Sequence, residues 1–375
     1  MVAKPTDGNT EFVVSTSLQP KQSGGGAKGP IKVLIVDDSN LLRSVMKEML
    51  AKDDQLQIVG EAENGLKAIE LIQKLKPDVV TLDVNMPVMD GLTAIKHIMI
   101  KCPTLVVMLS TLTGQGSHET FEALRYGAVD YLQKPSSLAK DDFKSQHELI
   151  VSRVKNAARA GIKAIRYLRP VQVTDRNDRT NARCCEHVFA INTTYGGYGA
   201  LLGLIPEIDP SLQASFLSVI YATPSNVDAF ARYLEEHSSL AVKRAVDGQR
   251  MDSGTCYLAS AYEDISVKKD ADGVSIGLQL KDSCEFQQAS NRLMTSLAEA
   301  FKDRASAILL SGLGEDGLSG AGSILNSGGN IIVQDPRTCL CKETNQLAIE
   351  RYGLSTVRPG NEMIDAIRAC CAAAG

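Results

Sequence analysis

Short apolar runs alternate along this chain with longer stretches whose apolar residues recur every three or four positions. Lys32–Val36 (KVLIV) is the first run and predicts a buried parallel strand. Leu41, Leu42, Val45, Met46, Met49 and Leu50 then follow at helical spacing. Leu56–Val59 predicts a second strand and Leu66–Leu75 a second helix. Val79–Leu82, Leu105–Leu109 and Val129–Leu132 predict three more strands. Five strands alternating with helices over about 130 residues imply a doubly wound parallel sheet. Such sheets bind ligands outside the carboxyl ends of their strands.

Asp142–Ile165 reads as one long helix, with Phe143, Leu149, Ile150, Val154 and Ala157 on one side. Arg169–Cys185 is polar and charged without a period and predicts a linker. A second α/β pattern opens at His187. Its buried-strand candidates are Val188–Ile191, Phe216–Ile220, Ala307–Leu310 and Ile331–Val333, and Tyr257–Leu258 with Val274–Leu280 predict a small antiparallel piece. The expected organisation is a disordered leader over 1–30, a first domain over 31–160, a linker over 161–186 and a second domain over 187–375. The leader is polar and ends in Gly24–Gly25–Gly26.

Composition narrows the function classes. With 44% hydrophobic and 22% charged residues the 375-residue chain has an ordinary globular balance. A net charge of -4 gives no field for nucleic acid, and the second half shows no helix-turn-helix pattern. No apolar run approaches a membrane span, so no membrane insertion is expected. The nine cysteines include the adjacent pairs Cys184–Cys185 and Cys370–Cys371 and the pair Cys339–Cys341, none at C-x-x-C spacing. They read as reduced thiols of a cytoplasmic protein.

Candidate chemistry gathers at the predicted strand ends. Asp37 and Asp38 follow the first strand and Asp83 the third, so three carboxylates converge on one crevice. They repel one another unless a cation lies among them, and oxygen ligands with room for water suit Mg²⁺. Ser110 ends the fourth strand and Lys134 follows the fifth, adding a hydroxyl and an ammonium. Metal on one side, with ammonium and hydroxyl on the other, can hold a phosphoryl group on a carboxylate.

The text VLIVDDS, TLDVNMPVMDG, VVMLST and GAVDYLQKP resembles a two-component response-regulator receiver domain over about 130 residues. The resemblance implies a flavodoxin-like (βα)5 fold. It implies that Asp83 is phosphorylated by a histidine kinase of the chemotaxis type. Asp37, Asp38, Asp83 and the Asn85 carbonyl would hold Mg²⁺. Ser110 and Lys134 would bind the phosphate, and Tyr131 would be the aromatic switch. Lys134–Pro135 is often a cis bond in that family.

Receiver, linker and second α/β domain, in that order, resemble the chemotaxis protein-glutamate methylesterase family, CheB. FAINTTYGGYGAL and ILLSGLGEDGLSGA carry the likeness in the second half. It implies a mainly parallel, doubly wound domain with a Ser–His–Asp triad acting on chemoreceptor cytoplasmic tails. The nucleophile position holds Thr194, the base position Tyr221, and the acid position Asp316. A threonine methyl crowds a serine-shaped turn, and a tyrosine is a poor general base at neutral pH. His187 and His237 are the second half's histidines, placed at the opposite sheet edge and on a solvent-facing helix end, so neither substitutes. Gly312, Gly314 and Gly317 persist for turn geometry, and Asp316 can serve as no more than a helix N-cap.

The expectation is a phosphorylation-controlled response regulator whose methylesterase-like domain is inactive and acts by binding. The alternative is an active protein-glutamate methylesterase/glutaminase. A histidine within reach of Thr194 or Ser225 would favour the alternative. Thr194 and Tyr221 beside Asp316 would favour loss of the triad.

Overall fold

The computed structural model describes residues 29–110, 115–135, 140–165, 167–168, 185–270, 273–280, 288–354 and 356–373. The leader and most of the linker therefore lie outside the described residues. The first domain follows the predicted alternation. β1 (Ile31–Val36), β2 (Leu56–Ala62), β3 (Val79–Asp83), β4 (Leu105–Ser110) and β5 (Asp130–Gln133) form a parallel sheet in the order β2-β1-β3-β4-β5. Between them run α1 (Asn40–Leu50), α2 (Gly65–Leu75), α3 (Gly91–Lys101) and α4 (Gln115–Arg125), with α5 (Lys140–Ala157) after β5. Ser39, Asn64 and Asp90 cap α1, α2 and α3 by accepting from the amides three residues on.

α5 ends at Ala157, short of the predicted Ile165. The chain turns there, and the Gly161 amide leaves helical bonding to donate to the Leu340 carbonyl of the second domain at 2.8 Å. A tertiary hydrogen bond thus overrides a continuous helical pattern.

The second domain holds β6 (His187–Asn192), α6 (Gly197–Leu204), β7 (Ala214–Ile220), α7 (Pro224–Glu236), β8 (Ala241–Arg244) and β9 (Thr255–Ser260). The hairpin β10 (Glu263–Asp270) and β11 (Gly273–Leu280) comes next. After it come α8 (Ala289–Phe301), β12 (Ala305–Leu309), α9 (Leu318–Asn326), β13 (Asn330–Gln334), α10 (Glu343–Tyr352), β14 (Val357–Arg358) and α11 (Met363–Ala373). The main sheet has seven strands, all parallel, in the order β14-β13-β12-β6-β7-β9-β8. Tyr257–Leu258 belongs to this sheet through β9, which corrects its assignment to an antiparallel piece. The antiparallel partner of Val274–Leu280 is β10, whose alternation is masked by its charged residues Lys268, Lys269 and Asp270.

One hydrophobic cluster runs through both domains. Phe121 on α4 is fully buried and packs on Tyr131 at 6.0 Å, Phe230 at 5.1 Å and Tyr233 at 5.3 Å between ring centres. Tyr131 belongs to the first domain and the other two to the second. No helix among the described residues is long and apolar enough to cross a membrane.

Phe121→Ala removes the ring that both domains share. It is expected to destabilise the chain by about 3–5 kcal/mol, the usual cost of truncating a buried phenylalanine. Urea unfolding followed by circular dichroism checks this, and an unchanged midpoint would contradict the shared core.

Candidate functional site

Two groups of residues stand at the carboxyl ends of the two parallel sheets. In the first, β1 delivers Asp37 and β3 delivers Asp83, both buried, while Asp38 is exposed. Donor oxygens of Asp37, Asp38 and Asp83 all lie within 4.8 Å of one another. Lys134 bridges the inner two, 2.9 Å from Asp37 Oδ2 and 2.8 Å from Asp83 Oδ1. Burial pushes the Asp83 carboxyl above its ordinary pKa, and the Lys134 ammonium works against that shift. Burial also opposes the charge on Lys134, but the two carboxylates outweigh it and hold that pKa above the usual lysine value.

Asp83 Oδ2 is buried without a hydrogen-bond partner. An orphaned carboxylate oxygen among three converging acids fits a hard cation. Asn85 is exposed in the loop after β3. That loop is tight: Gly91 leaves no room for a side chain, because a Cβ there would stand 2.0 Å from the Asp83 carbonyl. Val88 in the same loop is exposed at φ 68, a strained backbone for a β-branched residue. Ser110 is buried at the end of β4, and its carbonyl accepts from Lys134 N–H at 2.9 Å. Lys134–Pro135 is trans, unlike the cis bond expected from the resemblance.

Tyr131 is buried at the domain boundary. Its hydroxyl lies 2.9 Å from that of Tyr198 on α6, the helix that opens at Gly197. Burial raises both phenols above their ordinary pKa, Tyr131 to about 12.

In the second group, β6, β7 and β12 are adjacent central strands, and Thr194, Tyr221 and Asp316 follow their ends. Gly196 takes a left-handed φ of 76 in the turn from β6 to α6. A side chain on Gly197 would strike Thr193 Oγ1 at 2.3 Å. The Thr194 hydroxyl accepts from Leu313 N–H at 2.8 Å and donates to the Leu313 carbonyl at 3.1 Å. Its hydrogen bonds are therefore with backbone and not with Tyr221 or Asp316.

Tyr221 donates its hydroxyl to Asp316 Oδ2. Burial, reinforced by the Asp316 charge, lifts the Tyr221 phenol far above its ordinary pKa, so it stays protonated. The Asp316 carboxylate also accepts from the amides of Ser290 at 3.2 Å, Asn291 at 3.1 Å and Gly317 at 2.9 Å. Ser290 and Asn291 open α8, so Asp316 caps that helix and not α9, as a local reading would have it. Asn291 returns the favour to α9, accepting from Gly317 at 3.0 Å and Gly320 at 2.8 Å. Gly314 and Gly317 take positive φ, whereas Gly312 is held by close approach to Thr194 and Thr344.

No histidine hydrogen-bonds to Thr194, Ser225 or Asp316 among the described residues. His187 sits at the start of β6, with Nε2 2.9 Å from Ser306 Oγ. His237 is not solvent-facing as expected: its ring is half-buried and stacks on Tyr233 at 4.3 Å, beside the first domain.

Sequence reading missed the residue that joins the two groups. Arg153 on α5 pairs with Asp130 through 3.0 and 2.8 Å bonds and donates to the Tyr221 carbonyl at 3.0 Å. It also lies over the Tyr195 ring at 5.2 Å. Nothing in the helical pattern of SRVKNAARAGI marks this partly buried arginine as a contact with the second domain.

Known proteins resemble the chain in both halves. A response regulator receiver domain model matches residues 33–142, and a CheB methylesterase model matches residues 189–367. A protein-glutamate methylesterase/protein-glutamine glutaminase of Pyrococcus horikoshii is 35% identical over 88% of this chain and 90% of its own. The chain belongs to the CheB family. A relative of the same description from Archaeoglobus fulgidus is 34% identical over 90% of this chain and 97% of its own. Among solved structures, the response regulator domain of Thermotoga maritima CheB is 40% identical over 35% of this chain and 98% of that chain, with a TM-score of 0.33. The chain carries both a receiver domain and a CheB methylesterase domain, and the positions that the resemblance assigns to the triad hold Thr194, Tyr221 and Asp316.

Two measurements follow. Asp316→Ala is expected to cost about 1–2 kcal/mol of stability, as loss of a helix N-cap does, and an unchanged denaturation midpoint would argue against a capping role. Burial, aided by Arg304, lowers the His187 pKa to about 4 from 6.5. The unfolded chain then binds the proton more readily between those values, so stability falls as pH drops from about 6.5 toward 4, by at most about 3 kcal/mol. Urea midpoints at pH 7 and pH 4.5 test this, and an equal loss in His187→Gln would assign the slope elsewhere.

Proposed function

We propose that this CheB-family chain is a response regulator phosphorylated on Asp83, whose methylesterase-family domain acts by binding and not by hydrolysis. The observation that carries the second half is the engagement of Asp316. Its carboxylate is taken up by the Tyr221 hydroxyl and by amides of α8 and Gly317.

In the first domain, Asp37, Asp38, Asp83 and the Asn85 carbonyl would hold Mg²⁺. The ion would supply positive charge against the incoming phosphoryl oxygens. Asp83 forms a bond to phosphorus of a kinase phosphohistidine as the N–P bond breaks, and the imidazole keeps the leaving electron pair and takes up a proton. Lys134, which bridges Asp37 and Asp83 before transfer, moves its ammonium to a phosphoryl oxygen, and the Ser110 hydroxyl supports another.

Transfer reaches the second domain through β5. Tyr131 lies on the same short strand that leads to Lys134 and hydrogen-bonds Tyr198. Repositioning Lys134 shifts β5 and biases the Tyr131–Tyr198 and Arg153–Tyr221 contacts, a population shift between two packed arrangements.

In the second domain, ester hydrolysis through the triad positions needs a base that takes the nucleophile's proton. A tyrosine held protonated beside Asp316 does not provide one. Partners of the exposed surface would be the chemotaxis-type kinase or chemoreceptor tails, recognised without chemistry. The second reading, an active methylesterase/glutaminase, is favoured by the names of the relatives.

Asp83→Asn is expected to abolish labelling by acetyl phosphate in Mg²⁺, and labelling at the full rate would refute the assignment. With methyl-labelled chemoreceptor membranes, the phosphorylated chain is expected to release no methanol above background, next to an active methylesterase as control. Release that rises with phosphorylation would establish the second reading instead.

A further inference from the structure

We propose that His118 and His237 form a transition-metal site that bridges the two domains, with two imidazole ligands and water completing the coordination. His118 is exposed on α4 of the receiver, and His237 follows α7 of the second domain. Their ring centres are 5.9 Å apart. A metal about 2.0–2.1 Å from a ring nitrogen stands about 3.2 Å from that ring's centre, so two imidazoles sharing one ion have centres about 5–6.5 Å apart. The observed separation therefore admits one ion between the rings with small side-chain adjustments.

His237 is already set for ligation. Its Nδ1 lies 2.8 Å from the Tyr233 carbonyl. A carbonyl can only accept, so Nδ1 carries the proton and Nε2 presents its lone pair. Metal-binding histidines are oriented in the same way, by donating their other nitrogen to a carbonyl or carboxylate. Tyr233 holds both rings: it stacks on His237 at 4.3 Å and meets His118 edge-on at 5.2 Å. The Tyr233 hydroxyl donates to Glu122, which also pairs with Arg125 at 3.3 Å, so the ring that both histidines touch is fixed from the receiver side.

The ligand class follows from the donors. Imidazole selects borderline cations such as Zn²⁺, Ni²⁺ or Cu²⁺ over Mg²⁺. The site is thus chemically distinct from the oxygen-rich pocket around Asp83. Its ligands come from both domains and meet only while α4 packs on α7. Metal binding would then stabilise this packed arrangement by mass action and oppose any separation of the domains.

The full chain, stripped of metal with a chelator and kept reduced, is titrated with Zn²⁺ by calorimetry. Nine cysteines offer competing ligands, so the test reads differences between variants. One ion is expected to bind with a dissociation constant of about micromolar order, weakened at least about tenfold in His118→Gln and again in His237→Gln. The double variant is expected to bind no ion at this site, since both ligands are then gone. Zn²⁺ should raise the thermal midpoint of the parent chain and of neither variant. Acetyl phosphate labelling of Asp83 reports that the variants are folded. Unchanged affinity in either single variant, or a thermal midpoint that Zn²⁺ still raises in either, would overturn the site.

Discussion

A parallel sheet whose strand order reverses leaves a crevice at the reversal, because the two crossover connections depart in opposite directions. This chain uses that constraint twice. In the receiver the reversal lies between β1 and β3, and Asp37 and Asp83 follow those strands. In the second domain it lies at β6, with β12 on one side and β7 on the other, and Thr194, Asp316 and Tyr221 follow those three. Neither site needs residues close in sequence, since topology brings the strand ends together. Differences in what the crevices can do come from side chains alone: one gathers charge around an orphaned oxygen, and the other has every carboxylate oxygen supplied with donors.

Between the crevices lies a charge mostly withdrawn from water, the Arg153 guanidinium. A guanidinium taken out of water is costly unless its donors are matched. Arg153 meets this by splitting its donors between Asp130 of the receiver and the Tyr221 carbonyl of the second domain. Asp130 directly precedes Tyr131, which contacts Tyr198, so one strand of four residues both anchors Arg153 and supplies an interdomain hydrogen bond. Separating the domains would strand Arg153 with half of its partners and expose the aromatic cluster around Phe121. The packed arrangement is therefore held by polar matching as well as by apolar area.

Periodicity made the alternating elements of both domains legible, because a buried parallel strand is a short apolar run wherever it occurs. It failed where tertiary bonds decide. Gly161 stops α5 to reach Leu340, and β10 pairs in spite of a charged outer face. The gathering of Asp37, Asp38, Asp83 and Lys134 was legible because these residues directly follow strands and their acidic text is dense. The reciprocal caps were not, since Asp316 serves a helix that starts 27 residues earlier in the chain. Arg153 was invisible for a similar reason: burial of one arginine on an amphipathic helix depends on a surface that the helix itself does not encode.

Asp316 is an acid that the fold itself uses. Its oxygens organise the starts of α8 and the turn into α9, while Asn291 answers from the other side. That exchange depends on a carboxylate at this point. A histidine at Tyr221 would have to accept a proton from the nucleophile and keep an N–H for the acid. A phenol can supply the second of these tasks but not the first at neutral pH, and its burial beside a carboxylate moves it further from doing so. Tyrosine at this position therefore keeps a hydrogen bond to Asp316 and, on the proposed reading, supplies no base for hydrolysis.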